Sequence, residues 1–239
     1  MQTTLAQYNE TQSTDSFTLQ NSKLLKVRLD QVTIQSKLGS MVAYQGDVKF
    51  EHAGSGGLGR MLKKAVTGEG QSLMKITGSG EVFLADTAQD IHLIYLEGEK
   101  ITVNGPNLLA FDAGIDWDIE RVKDVGAAIT GGLTNLTLKG TGWVAILSDG
   151  PPVLLNVAAA PTFADAQAAI TWSSGVSTSI KTDFKMKNLV GRGSGESIQM
   201  AFSGEGWVLV QPSEGRIVAA APGGGGGGAA GGIGGLLRG

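Results

Sequence analysis

The chain has 239 residues, of which 41% are hydrophobic and 17% are charged, and its formal net charge is −3. This composition is typical of a globular protein, and the small negative charge excludes a general electrostatic attraction to nucleic acids. The sequence contains no cysteine, so disulfide bonds and thiolate chemistry are excluded. We expect a cytoplasmic protein, because the polar N-terminus does not resemble a signal peptide and no apolar run reaches the roughly 18 residues of a membrane-spanning helix.

Short segments of alternating polarity follow a polar leader, which we place at residues 1–16 and expect to be loosely attached. Leu25, Val27 and Leu29 alternate with charged residues, a period that puts apolar side chains on one face of a strand. Three related hairpins are predicted further along the chain, each with its own turn, at residues 41–51, 108–119 and 169–176.

Two segments depart from this strand pattern. Apolar and basic residues have helical spacing near residues 58–66, which predicts one short helix that ends before Gly68. Residues 221–239 are dominated by glycine and alanine. Because glycine loses more backbone entropy on ordering than any other residue, we expect this C-terminal tail to be flexible.

A Gly-x-Gly motif occurs three times and divides the sequence into repeats. Its glycine pairs are Gly78 and Gly80, Gly140 and Gly142, and Gly204 and Gly206. The first glycines are 62 residues (140 minus 78) and 64 residues (204 minus 140) apart, which indicates a repeated supersecondary unit. We therefore predict an all-β fold, an antiparallel β-sandwich or barrel in which three pseudo-repeats share one core. The predicted domain covers residues 17–220, with units at about 17–86, 87–150 and 151–215.

Two glycines at one offset in every copy need a physical explanation, because glycine in regular structure costs about 0.5–1 kcal/mol relative to alanine. A bulge or tight corner with positive φ at one of the two provides it. A phosphate-binding loop is the functional alternative, but such a loop opens a helix, and here β-prone residues follow the motif. We therefore assign all six glycines a structural role. Trp143 and Trp207 directly follow their motifs, and we expect core or interface packing rather than a stacking platform for a ligand.

No grouping of residues predicts catalysis or metal binding. His52 and His92 have no second histidine or cysteine at metal-ligand spacing. A group of acidic residues lacks the pattern of a calcium loop, so a solvated strand face is favoured for Asp112, Asp116, Asp118 and Glu120. We accordingly predict that the protein is not an enzyme, with no catalytic residues, cofactor, metal or small-molecule substrate.

Basic residues in the links before the motifs suggest a binding function. If the units are related by pseudo-symmetry, these side chains lie near one end of the domain, where they could contact anionic lipid headgroups or RNA. The competing interpretation is that they are solvated residues that keep the protein soluble. The candidates for contact with an anion or a partner are Arg60, Lys63, Lys64, Lys185, Lys187 and Arg192.

Several segments, taken in order, carry a family resemblance. They are residues 38–43 with Val48 and Phe50, then 57–69, 78–85, 108–112 and 204–208. As a set that spans about residues 17–215, they resemble the mitochondrial biogenesis family named for altered inheritance of mitochondria protein 24. The resemblance implies a β-rich fold like that of the tryptophan RNA-binding attenuator protein, classed with the double-stranded β-helices. It implies no catalytic residues and no RNA binding, because function depends on sites and not on folds.

These observations favour a non-enzymatic structural or protein-interaction scaffold that associates with itself or with a protein partner. The alternative is a binding module for anionic membrane lipid or RNA through the basic links, with RNA the less favoured ligand. The chain lacks an arginine-rich transit segment, so we expect a bacterial member of the family in the cytoplasm. If the alternative function holds, we expect the protein to lie also at the membrane surface as a peripheral protein.

Overall fold

The computed structural model describes residues 3–52, 73–121, 134–182 and 198–213. The predicted helix near 58–66 and the tail at 221–239 lie outside these residues. Within them the chain is almost entirely β, with two single turns of 3-10 helix at Leu5–Tyr8 and Gly105–Asn107. The predicted all-β, antiparallel fold class is therefore confirmed.

The described residues form fifteen strands. They are β1 Phe17–Asn21, β2 Leu24–Asp30, β3 Ile34–Lys37, β4 Met41–His52, β5 Leu73–Leu84, β6 Asp90–Asn104, β7 Leu108–Asp112, β8 Asp116–Arg121, β9 Thr134–Ser148, β10 Val153–Asn156, β11 Thr162–Asp165, β12 Ala169–Ser173, β13 Val176–Thr182, β14 Ile198–Gly204 and β15 Trp207–Val210. Twelve of them form one sheet with the path β1-β2-β5-β3-β7-β9-β6-β12-β15-β10, to which β4 is added on β5 and β8 on β9. The other three form a sheet in the order β11-β14-β13.

Each unit is built around one long strand that is paired on both sides. In the first unit, β5 pairs with β4 on one side and with β2 and β3 on the other. In the second unit, β9 pairs with β6 on one side and with β7 and β8 on the other. In the third unit the long strand is divided at its glycine motif into β14 and β15, and β10, β11, β12 and β13 occupy the four flanking positions. The central strand carries the Gly-x-Gly motif in every unit.

The register of strand pairing repeats with the sequence motif. The valine two residues after the second glycine lies opposite an aromatic residue in every unit. These pairs are Val82 with Tyr44, Val144 with Phe111, and Val208 with Trp172. The repeat is therefore present in the backbone hydrogen bonding as well as in the glycine spacing.

The three predicted hairpins are wrong in their topology. Strand β4 runs without interruption through residues 45–47, where Gly46, with a φ of 98°, bends the strand and does not reverse it. Strands β7 and β8 both pair with β9 and not with each other. Strands β12 and β13 likewise pair with β15 and β14. The glycine-containing segments therefore let the chain continue along the long strand of its own unit.

The buried apolar side chains form three clusters that follow the units. The first combines first-unit residues such as Val82 with Leu109 and Leu147 of the second unit. The second combines second-unit residues with Leu73 of the first unit and Ile170 of the third. The third cluster contains residues of the third unit alone. All three units thus contribute to the second cluster, whereas the third cluster has no described residue of the first or second unit.

Part of the leader is attached to the sheet, contrary to the expectation of loose attachment. The Gln20 side chain accepts a hydrogen bond from the Thr11 N–H at 2.8 Å and donates one to the Asn9 carbonyl at 3.0 Å. Lys26 Nζ donates to the Thr11 carbonyl at 3.0 Å. The polar side chains of Gln20 and Lys26 therefore hold the leader against β1 and β2.

Candidate protein-interaction site

All six motif glycines have positive φ, from 108° at Gly204 to 145° at Gly80. L-amino acids with a side chain rarely adopt such angles. At Gly80 the close approach of neighbouring backbone is a second constraint, because a Cβ atom added there would lie 2.0 Å from the Gln45 carbonyl oxygen. The sequence predicts positive φ at one glycine of each motif, and the structure has positive φ at both.

At the second and third Gly-x-Gly motifs, which we call corners, a side chain accepts a hydrogen bond from the backbone N–H that follows the motif. This role was not predicted from the sequence for either side chain. The Asp112 Oδ2 accepts a hydrogen bond from the Trp143 N–H at 2.6 Å, and the Ser173 Oγ accepts one from the Trp207 N–H at 3.1 Å. Asp112 and Ser173 each follow the aromatic residue that pairs with the motif valine. This shared sequence position could have revealed the role of both residues. A short polar side chain directly after that aromatic residue can accept the hydrogen bond from the N–H that follows the motif.

Burial raises the pKa of Asp112, and the hydrogen bond from the Trp143 N–H partly opposes this effect. The folded protein then binds the Asp112 proton more tightly than the unfolded chain does, so the contribution of this group to stability is greatest at low pH and is lost as Asp112 ionises. We expect Asp112→Asn to retain an acceptor for the Trp143 N–H. Because asparagine does not ionise, this variant should lack the decrease in stability that accompanies ionisation of Asp112 as the pH rises. Asp112→Ala leaves the N–H without its acceptor and should cost about 1–3 kcal/mol. Urea unfolding of both variants at pH 3, 5 and 7 measures these differences, and an identical pH dependence in the Asp112→Asn variant and the native protein would contradict the first expectation.

The two motif tryptophans pack against the core, in line with the sequence interpretation. Trp143 lies against the first apolar cluster, and its ring makes an edge-to-face contact with Tyr95 at a centroid distance of 5.0 Å. Trp207 lies against the second cluster. Glu81, which occupies the same place in the first unit, instead forms an ion pair with Lys26 at 2.9 Å.

Lys26 is a buried cation held by two carboxylates. Its side chain is only 5% exposed, and its Nζ contacts both Glu81 and Glu10 of the leader. Burial alone would lower the pKa of Lys26, but the hydrogen bonds to Glu10 and Glu81 outweigh that effect and raise it. The pKa of Glu10 is lowered by hydrogen bonding to Glu81 and Lys26. These three residues thus join the leader, β2 and β5. This structural role accounts for the buried charge of Lys26, so no ligand is needed to explain it.

Among the described side chains, the predicted polar candidates form no group that could hold a metal ion. The Nε2 of His92 lies 2.8 Å from the Ser148 Oγ, which itself donates to the Gly150 carbonyl at 2.7 Å. Burial lowers the pKa of His92, and Asp90 partly offsets this. The side chains of His52 and Glu120 lie outside the described residues, while Asp116 and Asp118 are exposed on β8.

All six basic candidates for contact with an anion or a partner also lie outside the described residues. In the part of the chain that the structure describes, no group of three His, Cys, Asp or Glu residues could hold a metal ion. Among the same residues, no helix has the length and apolarity required to cross a bilayer.

Strand edges at the boundaries between units form the remaining candidate site. β3 pairs with β7 to join the first and second units, and β6 pairs with β12 to join the second and third. The equivalent strands for a third junction are β11 and residues 41–45 of β4, which we call the open edges. Across the described ranges, β11 pairs only with β14, and β4 pairs only with β5.

The open edges carry exposed apolar side chains. Tyr44 is 49% exposed and Phe163 is 44% exposed, and Met41 and Val42 are also exposed. At the paired junctions the equivalent strands β7 and β12 are buried along almost their whole length. The first half of β4 therefore has the sequence of a junction strand without the neighbour that the other junction strands have.

The chain is thus a three-repeat, antiparallel β protein with two unpaired junction strands among its described residues. Its sequence matches the family model described as Mitochondrial biogenesis AIM24 over residues 17–213, and the chain belongs to that family. Its fold is similar to the crystal structure of protein SPYM3_0169 from Streptococcus pyogenes, with 22% identity and a TM-score of 0.67. That similarity covers 82% of this chain and 91% of the streptococcal one. No curated protein matches the sequence. The more specific likeness to the attenuator protein stays a prediction.

Proposed function

We propose that this member of the AIM24 family is a non-enzymatic scaffold that binds protein by adding a strand to its open edges. The observation that carries the proposal is that, in the described ranges, β11 and residues 41–45 of β4 lack the partner that their equivalents have at two other junctions. An unpaired strand presents a row of N–H and C=O groups that a second extended segment can satisfy. A scaffold of this kind needs no reactive group of its own.

The composition of the β4 edge supports this proposal. Natural proteins protect unpaired edges with charged residues, proline or short strands. Residues 41–44 are Met, Val, Ala and Tyr, with no charge and no proline, and they begin a strand of 12 residues. The ring of Tyr44 is supported by Phe50 at a centroid distance of 5.2 Å, so it forms part of an ordered apolar surface. Such a surface is typical of an interface.

A cleft beside β11 extends the second open edge. It has a volume of about 610 Å³ and is lined by the segment 157–161 and by residues of β11, β13 and β14. Phe163 lies on its wall, and Lys181 Nζ sits 4.1 Å from the centre of the Phe163 ring. This arrangement combines an apolar surface, a cation and free backbone groups. These are the features that an extended protein segment uses for affinity and orientation.

Site-specific photo-crosslinking in cells tests the proposal. We expect the full chain with p-benzoylphenylalanine in place of Tyr44 or Phe163 to form discrete protein adducts, because both side chains lie at an unpaired edge. Tyr95 is a matched control, since it is an aromatic residue with 48% exposure that lies on β6 opposite Trp143 and belongs to neither open edge. Mass spectrometry identifies the attached chain. Equal adducts at position 95, or no protein adduct at positions 44 and 163, would contradict the proposed function.

The alternative of binding to anionic lipid or RNA stays a prediction. Its six basic residues lie outside the described residues. The scaffold is the better supported function because its site consists of described strands with a defined register.

A further inference from the structure

We propose that the occupant of the open edges is a second copy of this chain, with β11 of one copy pairing antiparallel with β4 of the next. This inference rests on the proposed function, because it names the partner of the same edges. The two edges are complementary in kind: β11 is equivalent to the strands β3 and β6, and the first half of β4 is equivalent to β7 and β12. The chain therefore carries both halves of a junction that it already forms twice within itself.

The two internal junctions have the same register, which makes them a template. Between the first and second units, Ile34, Gln35 and Ser36 lie opposite Asp112, Phe111 and Ala110. Between the second and third units, Ile101, Thr102 and Val103 lie opposite Ser173, Trp172 and Thr171. Ile34 and Ile101 are equivalent because each pairs with the residue two before the first motif glycine of its unit. The aromatic residue of the junction strand thus occupies the middle of both triplets.

The same register can be transferred to the open edges. Thr162 pairs with Phe202, which is two residues before Gly204, so Thr162 is the equivalent of Ile34. An intermolecular junction would then place Thr162 opposite Gln45, Phe163 opposite Tyr44, and Ala164 opposite Ala43. The two large exposed aromatic side chains of these edges meet directly. Aromatic pairs opposite each other are among the cross-strand contacts that stabilise antiparallel pairing.

Burial at the internal junctions shows what a neighbour would cover. Phe111 is fully buried and Trp172 nearly so, whereas Tyr44 at the equivalent position is half exposed. The third apolar cluster contains no described residue of another unit, although the first and second clusters each do. A neighbouring first unit would provide the missing contribution to the third cluster. A second copy of this chain therefore fits the edge in three respects: the strand register, the pairing of polar with polar and apolar with apolar side chains, and the packing of the core.

The proposed contact is head-to-tail, because it joins two different surfaces of the chain. Each contact leaves β4 free on one copy and β11 free on the other, so assembly continues until the rotation between copies closes a ring. A two-fold contact between two β4 edges, or between two β11 edges, would instead stop at a dimer. This difference separates the proposal from other modes of self-association.

A complementation experiment uses this property. Tyr44→Asp blocks the β4 edge and Phe163→Asp blocks the β11 edge, and both side chains are exposed enough for the fold to persist, as circular dichroism would verify. In sedimentation of the full chain, we expect each variant alone to associate at least about tenfold more weakly than the native protein. An equimolar mixture should recover a one-to-one complex, since each copy supplies the edge that the other has lost. Native mass spectrometry of the mixture measures the heterodimer directly.

Two controls decide the outcome. Tyr95→Asp changes an equally exposed aromatic residue, and Leu154→Asp changes an exposed residue of β10, the end strand of the large sheet. Neither should alter association. A monomeric native protein, self-association of either edge variant alone as strong as that of the native protein, or no complex in the mixture would overturn the proposal. If the native chain is monomeric but a different protein crosslinks at position 44, the scaffold function survives and only the identity of the partner is wrong.

Discussion

Replacing Gly80 with alanine is expected to reduce the free energy of unfolding by more than about 4 kcal/mol, in the exceptional range for a single substitution. Two effects add at this position. The φ of 145° belongs to a region that residues with a side chain rarely occupy, and the added Cβ would lie 2.0 Å from the Gln45 carbonyl oxygen. The obstructing atom belongs to the backbone of the paired strand, so relief requires separation of β4 from β5.

Gly98→Ala is the matched control for this substitution. Gly98 also has positive φ, 94°, but a Cβ added there meets no atom within 4 Å. It should therefore show the conformational cost alone, about 1–2 kcal/mol. Urea unfolding of the two variants under the same conditions separates strain in φ from the clash. If Gly80→Ala costs no more than Gly98→Ala, the close approach of β4 and β5 at the corner is not a constraint on the sequence.

The corners were predictable because their physical requirement falls on one residue type. Glycine is the residue that tolerates the positive φ of these positions, so the requirement is visible in the sequence at every copy. The capping role of Asp112 was less visible, since Asp112 caps one corner and Ser173 another, and many residues can accept a hydrogen bond. The hairpins were predicted wrongly because a local turn signal, such as Gly46, does not specify whether the chain reverses or bends.

The candidate site could not be predicted from local sequence. Residues 41–44 and 108–111 have the same apolar pattern, yet Tyr44 is half exposed and Phe111 is buried. The difference arises from the strand that lies beside each segment, which depends on how distant units meet. Lys26 is a second example, because a lysine in an alternating strand predicts a solvated side chain. Its burial depends on Glu10 and Glu81, which are remote from it in sequence.

Lys26→Met is the second substitution expected to have a large effect, a loss of about 3 kcal/mol in the free energy of unfolding. Methionine fills a similar volume, so the loss arises from charge: Glu10 and Glu81 remain close together without the cation between them. The exposed fractions of these carboxylates, 30% and 27%, place the effect at the lower end of the range for breaking a buried ion pair. Urea unfolding at pH 7 measures the change.

The same substitution at Lys23 provides a control on the neighbouring surface. Lys23 pairs with Asp90 at 3.0 Å, but its side chain is 49% exposed. Solvent screens such a pair, so Lys23→Met should cost less than about 1 kcal/mol. A triple variant with Lys26→Met, Glu10→Gln and Glu81→Gln should recover at least half of the loss, because no buried carboxylate is left uncompensated.

Acid should detach the leader by the same electrostatics. The pKa of Glu10 is lowered in the folded protein, so its contribution is fully present above its ordinary pKa of 4.5 and is lost as the pH falls through the folded value. The ion pair between Glu10 and Lys26 would then be lost, and the leader would be held there by the hydrogen bonds of Asn9 and Thr11. We therefore expect an acid-active protease to cleave the leader at a pH at which the sheet is still folded. If Lys26→Met costs no more than Lys23→Met and leaves the pH of leader release unchanged, the leader is held by Gln20 alone and the buried lysine stabilises nothing beyond its own strand.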